Sequence, residues 1–169
     1  VLARETPQRL SPHVPTYVHH VLSVLRHALG TDDDVGETCL ATVQALVCIG
    51  STDASCVSAA TEAALAALTY DPNAMDMDED EDINMDDDEL ELDDVSDDDD
   101  MSWRIRRAAC RVLGTLYEHG CMDASHAPRI AASLTDRLNE REETVRLEAL
   151  AALMQVLRVA PRALGPHTQ

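Results

Sequence analysis

The chain has 169 residues, enough for one domain with a sizeable core, and a formal net charge of −19. That charge is local: residues 71–100 hold 18 Asp and Glu and no basic residue, leaving 14 acidic against 13 basic side chains elsewhere. A near-neutral body with a polyanionic insert argues against nucleic acid as partner, because phosphates would be repelled, and no apolar run reaches the roughly 18 residues of a membrane span.

In chain order, Tyr17, Val18, Val21, Leu22, Leu25, Ala28 and Leu29 carry helical spacing between Pro12, Pro15 and the stop at Gly30. Asp32–Asp34 put negative charge where a second helix begins, as the helix dipole favours, and Thr31, in TDDD, reads either as an acid-directed phosphorylation site or as a cap at that start. This helix carries Val35, Cys39, Val43, Leu46 and Val47 and ends at Gly50. A third, rich in alanine, runs from about Asp53 to Leu68, before the Asp71-Pro72 break. Three more follow the acidic run, over 101–119, 126–139 and 142–159, and no segment alternates as a strand would.

These helices repeat. Val35-Gly-x-x-Cys39-x-x-x-Val43, Ile105-Arg-x-x-Ala109-x-x-x-Leu113 and Val145-Arg-x-x-Ala149-x-x-x-Leu153 share one pattern. The last two lie 40 residues apart and the first two 70, which becomes 40 once the 30 residues of 71–100 are set aside. Val24, Ala64 and Leu134 step in the same way. An acidic residue followed by Val or Ile, Arg, then Ala and Leu at these intervals is the HEAT-repeat signature, with Gly36 replacing the arginine in the first copy. The expected fold is therefore an all-α HEAT-repeat α-solenoid of about three complete two-helix repeats with a disordered acidic loop. Its expected parts are the end of a preceding repeat (1–13), repeats at 14–50, 53–119 (interrupted by the insert 71–100) and 126–160, and the start of another at 161–169. PQRLSPH at 7–13 and PRALGPH at 161–167 match in register as links between repeats. With no initial Met and no signal pattern, the chain reads as a piece of something longer.

All 13 basic residues are arginine, so no side chain here can accept a ubiquitin-like modifier through lysine. Five cysteines in or beside apolar helices read as buried, reduced thiols of an intracellular protein. Cys110, His119, Cys121 and His126 lack metal-ligand spacing, and there is neither a phosphate loop nor a nucleophile motif, so neither an enzyme nor a cofactor is expected. In the insert, Asp76, Asp78 and Asp80 imitate the start of a calcium loop. Glu81 stands where its turn needs glycine, however, and Asp87 where a bidentate glutamate belongs. Ser96, in VSDDDD, is a candidate phosphorylation site for an acid-directed kinase.

Arg104, Arg107 and Arg111 fall on one face of the helix after the insert, opposite Ile105, Ala109, Val112 and Leu116. They form either a solvated face partly neutralised by the aspartates before it, or a partner-binding face along the layer of second helices. Arg106, on the signature, is expected to pair with an acid at a repeat junction.

LTYDPN (68–73), the acidic run, DDDDMSWRIRRAA (97–109) and RLNEREETVR (137–146), in this order, resemble the cullin-associated, neddylation-dissociated family, HEAT-repeat assembly factors of cullin–RING (SCF-type) ubiquitin ligases. The resemblance covers nearly the whole chain as repeats and 68–146 specifically, and suggests an inner part of the amino-terminal arm. It implies a non-catalytic scaffold that helps wrap an unmodified cullin–RING core, within a factor that exchanges substrate receptors and blocks cullin neddylation. It further implies a cytoplasmic and nuclear location, with neither a small-molecule substrate nor a membrane partner. The competing reading is a HEAT-repeat transport receptor or chaperone whose acidic loop binds basic proteins such as histones.

Overall fold

The computed structural model describes residues 10–50, 53–71 and 101–163. Its first helix, α1 (Val14–Ala28), grows from a short 3-10 turn over Ser11–His13, and Pro12 and Pro15 preset the backbone where no helical N–H partner is needed. Gly30, at φ 87°, ends it in a conformation that other residues adopt at a cost. Thr31 serves this end rather than the next start: its hydroxyl donates to the carbonyls of His27 and Ala28. The cap of α2 (Asp33–Ile49) is Asp32, whose carboxylate accepts from the Val35 N–H at 3.0 Å. Asp53 caps α3 (Ala54–Leu68) in the same way through the Cys56 N–H at 2.7 Å.

Beyond the insert come α4 (Ser102–Glu118), α5 (Ala127–Asp136), a 3-10 turn over Arg137–Asn139, and α6 (Glu143–Val159). Among the described residues there is no strand, and no helix is long and apolar enough to cross a membrane. Residues 72–100 lie outside the described residues, and with them Ser96 and the partial calcium loop.

The helices pack in pairs, α1 with α2, α3 with α4 and α5 with α6, and the pairs stack into two layers. One layer holds α2, α4 and α6, each against the next; the other holds α1, α3 and α5, in lighter contact. The architecture is an all-α, HEAT-like solenoid, in which each pair buries its apolar stripe against its neighbours. The helices on either side of the acidic run, α3 and α4, pack directly on each other.

Leucine, isoleucine, valine and alanine build the core, as a chain without phenylalanine requires. Val18 and Leu25 of α1, Leu40 and Val43 of α2, Leu68 of α3, Ile105, Leu113 and Leu116 of α4, and Ile130 and Leu134 of α5 are all fully or almost fully buried. Small residues set the closest approaches. A Cβ added at Gly114 would lie 3.2 Å from the Ala152 backbone, and one at Gly36 would lie 3.0 Å from Ile105 Cδ1. At Gly36, which holds the arginine position of the signature, a side chain would have to displace the tip of Ile105 of the next repeat.

Candidate interaction face

α4 lies between α2 and α6, so its charged positions meet side chains from both neighbours. Arg104 pairs with Asp34 and, at 2.6 Å, with Glu37; Arg107 pairs with Glu37 at 2.8 Å; Arg111 donates from Nε to Glu148 at 2.7 Å. The Arg107 guanidinium also lies 5.0 Å from the centre of the Trp103 ring, a cation–π distance. The three arginines therefore do share a face, and among the described residues carboxylates of the flanking repeats neutralise them. They differ in what remains open to solvent: Arg111 keeps 42% of its side chain exposed, Arg104 28% and Arg107 21%.

Repeat register would have found two of these partners. Arg104 and Asp34, and likewise Arg107 and Glu37, are separated by 70 residues, the same step that relates the first two repeats. Equivalent positions in adjacent copies therefore carry opposite charge and stand side by side in the helix layer.

Arg106 points the other way and is buried. As expected for the signature, it meets an acid of the next repeat, Glu140, at 3.1 Å. Its remaining bonds go to the turn it follows: Nη1 donates to the Tyr70 carbonyl at 3.0 Å and to the Ser102 hydroxyl at 2.6 Å. Tyr70 extends the network into the first repeat, accepting from the Gly30 N–H at 3.1 Å and donating to Asp33 at 3.2 Å. The tyrosine of YDPN, used above only as a resemblance, thus ties the end of α3 to the α1–α2 turn. Nothing in the spacing announced that role.

Beside Arg111, a shallow groove of about 140 Å³ opens between α4 and α6, with Gln44, Thr115, Glu118 and Gln155 on its walls and Gly114 and Ala152 beneath. Gln44 reaches across from α2 to the Thr115 hydroxyl at 3.2 Å. In the other layer, Arg129 forms a two-pronged pair with Glu62, and these hydrogen bonds hold the Glu62 carboxyl below its ordinary range.

Among the described residues no three His, Cys, Asp or Glu side chains come together as a metal site would require. Cys39, Cys56 and Cys110 are buried, but Cys48, read above as buried, is exposed near the end of α2, and Cys121 is half-buried. Burial pushes the Cys110 thiol up to about 12 and Cys56 up to about 11, so both stay protonated and unreactive near neutral pH.

Stack, signature arginine and charged helix layer define a HEAT-like α-solenoid segment. Its relatives agree. Over 93% of this chain and 13% of the relative, it is 30% identical to Cullin-associated NEDD8-dissociated protein 1 of Drosophila melanogaster. It is 34% identical, over 75% of this chain and 15% of the relative, to Cullin-associated NEDD8-dissociated protein 1, C-terminal part, of Emericella nidulans. Cullin-associated NEDD8-dissociated protein 2 of Mus musculus matches at 38% identity over 37% of this chain and 5% of its own length. The chain therefore spans a small part of the length of these relatives. No family model and no solved structure matches the chain.

Proposed function

We propose that the chain is a segment of a cullin-associated solenoid and serves as a non-catalytic scaffold in contact with an unmodified cullin–RING core. The observation that carries this reading is the similarity to a cullin-associated relative along 93% of the chain, together with a HEAT-like stack whose helix layer presents paired charge. Exchange of substrate receptors and blocking of cullin neddylation would be acts of the whole protein, to which this segment lends part of a wrapping surface in cytoplasm and nucleus. We take its repeats as 14–50, 53–119 with the insert 71–100, and 126–160, flanked by parts of further repeats at 1–13 and 161–169.

We place the segment in the amino-terminal arm, on the order of YDPN, acidic run, MSW and basic helix. A parent sequence carrying this segment beyond its midpoint would move it to the other arm. On the helix layer, Arg111 is the first candidate for partner contact, because it keeps the most exposed side chain of the three, beside a groove. Arg104 and Arg107 would contribute their outer N–H groups while holding Asp34 and Glu37.

The acidic run favours a second reading, capture of basic proteins by charge. Co-elution of the parent arm with an unmodified cullin–RING core, with and without residues 71–100, at physiological and at about threefold higher salt, separates the two. The scaffold reading expects a complex that survives both changes. Absence of that complex, with salt-sensitive and loop-dependent capture of histones, would replace it with the chaperone or transport reading.

A further inference from the structure

Two signature arginines hold equivalent turns by the same grip, across very different lengths of chain. Arg146 donates to the Glu140 carbonyl, six residues back, and to the Arg141 carbonyl, at 2.6 and 2.7 Å. Arg106 donates to the Tyr70 carbonyl, 36 residues back. The difference is 30 residues, the length of the insert, so Tyr70 occupies the register position of Glu140. Arg106 then reaches over the gap: the same nitrogen that holds Tyr70, the last turn residue before the acidic run, also holds Ser102, the first residue of α4 after it. The grip is buried and is backed on both sides, by Asp33 and Gly30 through the Tyr70 ring and by Glu140 through the second guanidinium nitrogen.

We infer that Arg106 is the closing latch of an insertion point: it fixes the two ends of the acidic run in the geometry of an uninterrupted turn. The stack then keeps its register without residues 71–100, and the run is a tethered appendage whose charge, modification or length can change without altering the repeats. The physical reason is loop closure. Bringing the ends of 30 extra residues together carries an entropic cost that grows slowly with length, and a contact gripping both ends offsets it locally. In the third repeat the covalent turn already fixes that geometry, so Arg146 carries no such task.

The test is a thermal unfolding cycle on the full 169-residue chain, comparing the parent sequence and a deletion joining Tyr70 to Met101, each with and without Arg106→Met or Arg146→Met. The deletion is expected to unfold in one cooperative transition with Tm unchanged within about 2 °C or raised. Arg106→Met is expected to lower Tm by about 4 °C or more beyond its cost in the deleted chain, because only the insert-bearing chain uses the latch for closure. Its loss of the Glu140 pair is common to both backgrounds and cancels. Arg146→Met should cost the same in both. Equal costs for Arg106→Met in the two backgrounds would overturn the inference, as would a deletion that unfolds the stack. Should Arg106→Met fail to fold in both, amide exchange decides: residues 66–70 and 102–106 of the unaltered chain protected as well as 136–140 and 142–146 supports the latch, and markedly weaker protection overturns it.

Discussion

α4 and α6 carry the same signature and the same two-faced pattern, yet they are buried to different depths. In both, the first valine or isoleucine and the first alanine are fully buried: Ile105 and Ala109 in α4, Val145 and Ala149 in α6. Forty residues apart, however, buried Cys110 corresponds to Leu150 at 48% exposure, and buried Gly114 to Met154 at 57%. The first repeat shows the mirror image: Val35 is 38% exposed, whereas its counterparts Ile105 and Val145 are at 0%. The periodicity of a helix therefore fixes the face turned to its own partner helix. Its place in the stack decides whether a second face is covered.

The largest way to break this comparison is through the shared core face. Leu113→Ala in α4 should cost about 2–5 kcal/mol, since the residue is fully buried and the site cannot collapse between two neighbours. Leu153→Ala, the counterpart in α6, should fall at the low end of that range in urea unfolding, with one neighbour fewer around it. The second face gives the next effect. Gly114→Val puts its branches against the Ala152 backbone and should cost about 1–3 kcal/mol by overpacking, while Met154→Val at the equivalent exposed position should stay within about 0.5 kcal/mol.

Cys110 sharpens the comparison through pH. Its thiol, raised by burial from an ordinary value of 9.0 to about 12, remains neutral in the folded chain while the unfolded chain ionises from about pH 9. Its contribution is thus fully present below pH 9 and is lost as pH rises toward 12, by up to about 1.4 kcal/mol per pH unit in that window. Cys110→Ala should flatten this alkaline limb of a stability–pH profile; an unchanged limb would assign it to other groups. The smallest effect belongs to the surface: Arg111→Met breaks a half-exposed pair with Glu148 and should change stability by less than about 1 kcal/mol. The same substitution should weaken cullin–RING co-elution measurably if the exposed guanidinium is a partner contact.

Much of this was legible in the residues. The helices and the 40-residue register follow from the residue pattern, whereas the caps Asp32 and Asp53 emerge only in the structure, the sequence having pointed to Thr31 for the second helix. The acid partner of Arg106 followed from the signature. Other features depend on which helix lies beside which. Asp34 and Glu37 meet Arg104 and Arg107 because adjacent copies carry opposite charge at one register position, a comparison across repeats that inspection of a single helix face does not make. Thr31 looked like the start of a helix because it precedes three aspartates, yet its hydroxyl closes the helix before. Cys48 sits in an apolar run but on the face that neither neighbour covers. The grip of Arg106 on Tyr70 spans the whole insert, so no local window contains both ends.

Hydrogen–deuterium exchange across the second-helix layer of the 169-residue chain tests most directly the claim that stacking, not signature, separates α4 from α6. The account predicts that amides of α4 exchange slowest, near the rate set by global unfolding, and that those of α6 exchange earlier from residue 150 onward. Equal protection of α6 and α4, or faster exchange in α4, would contradict it.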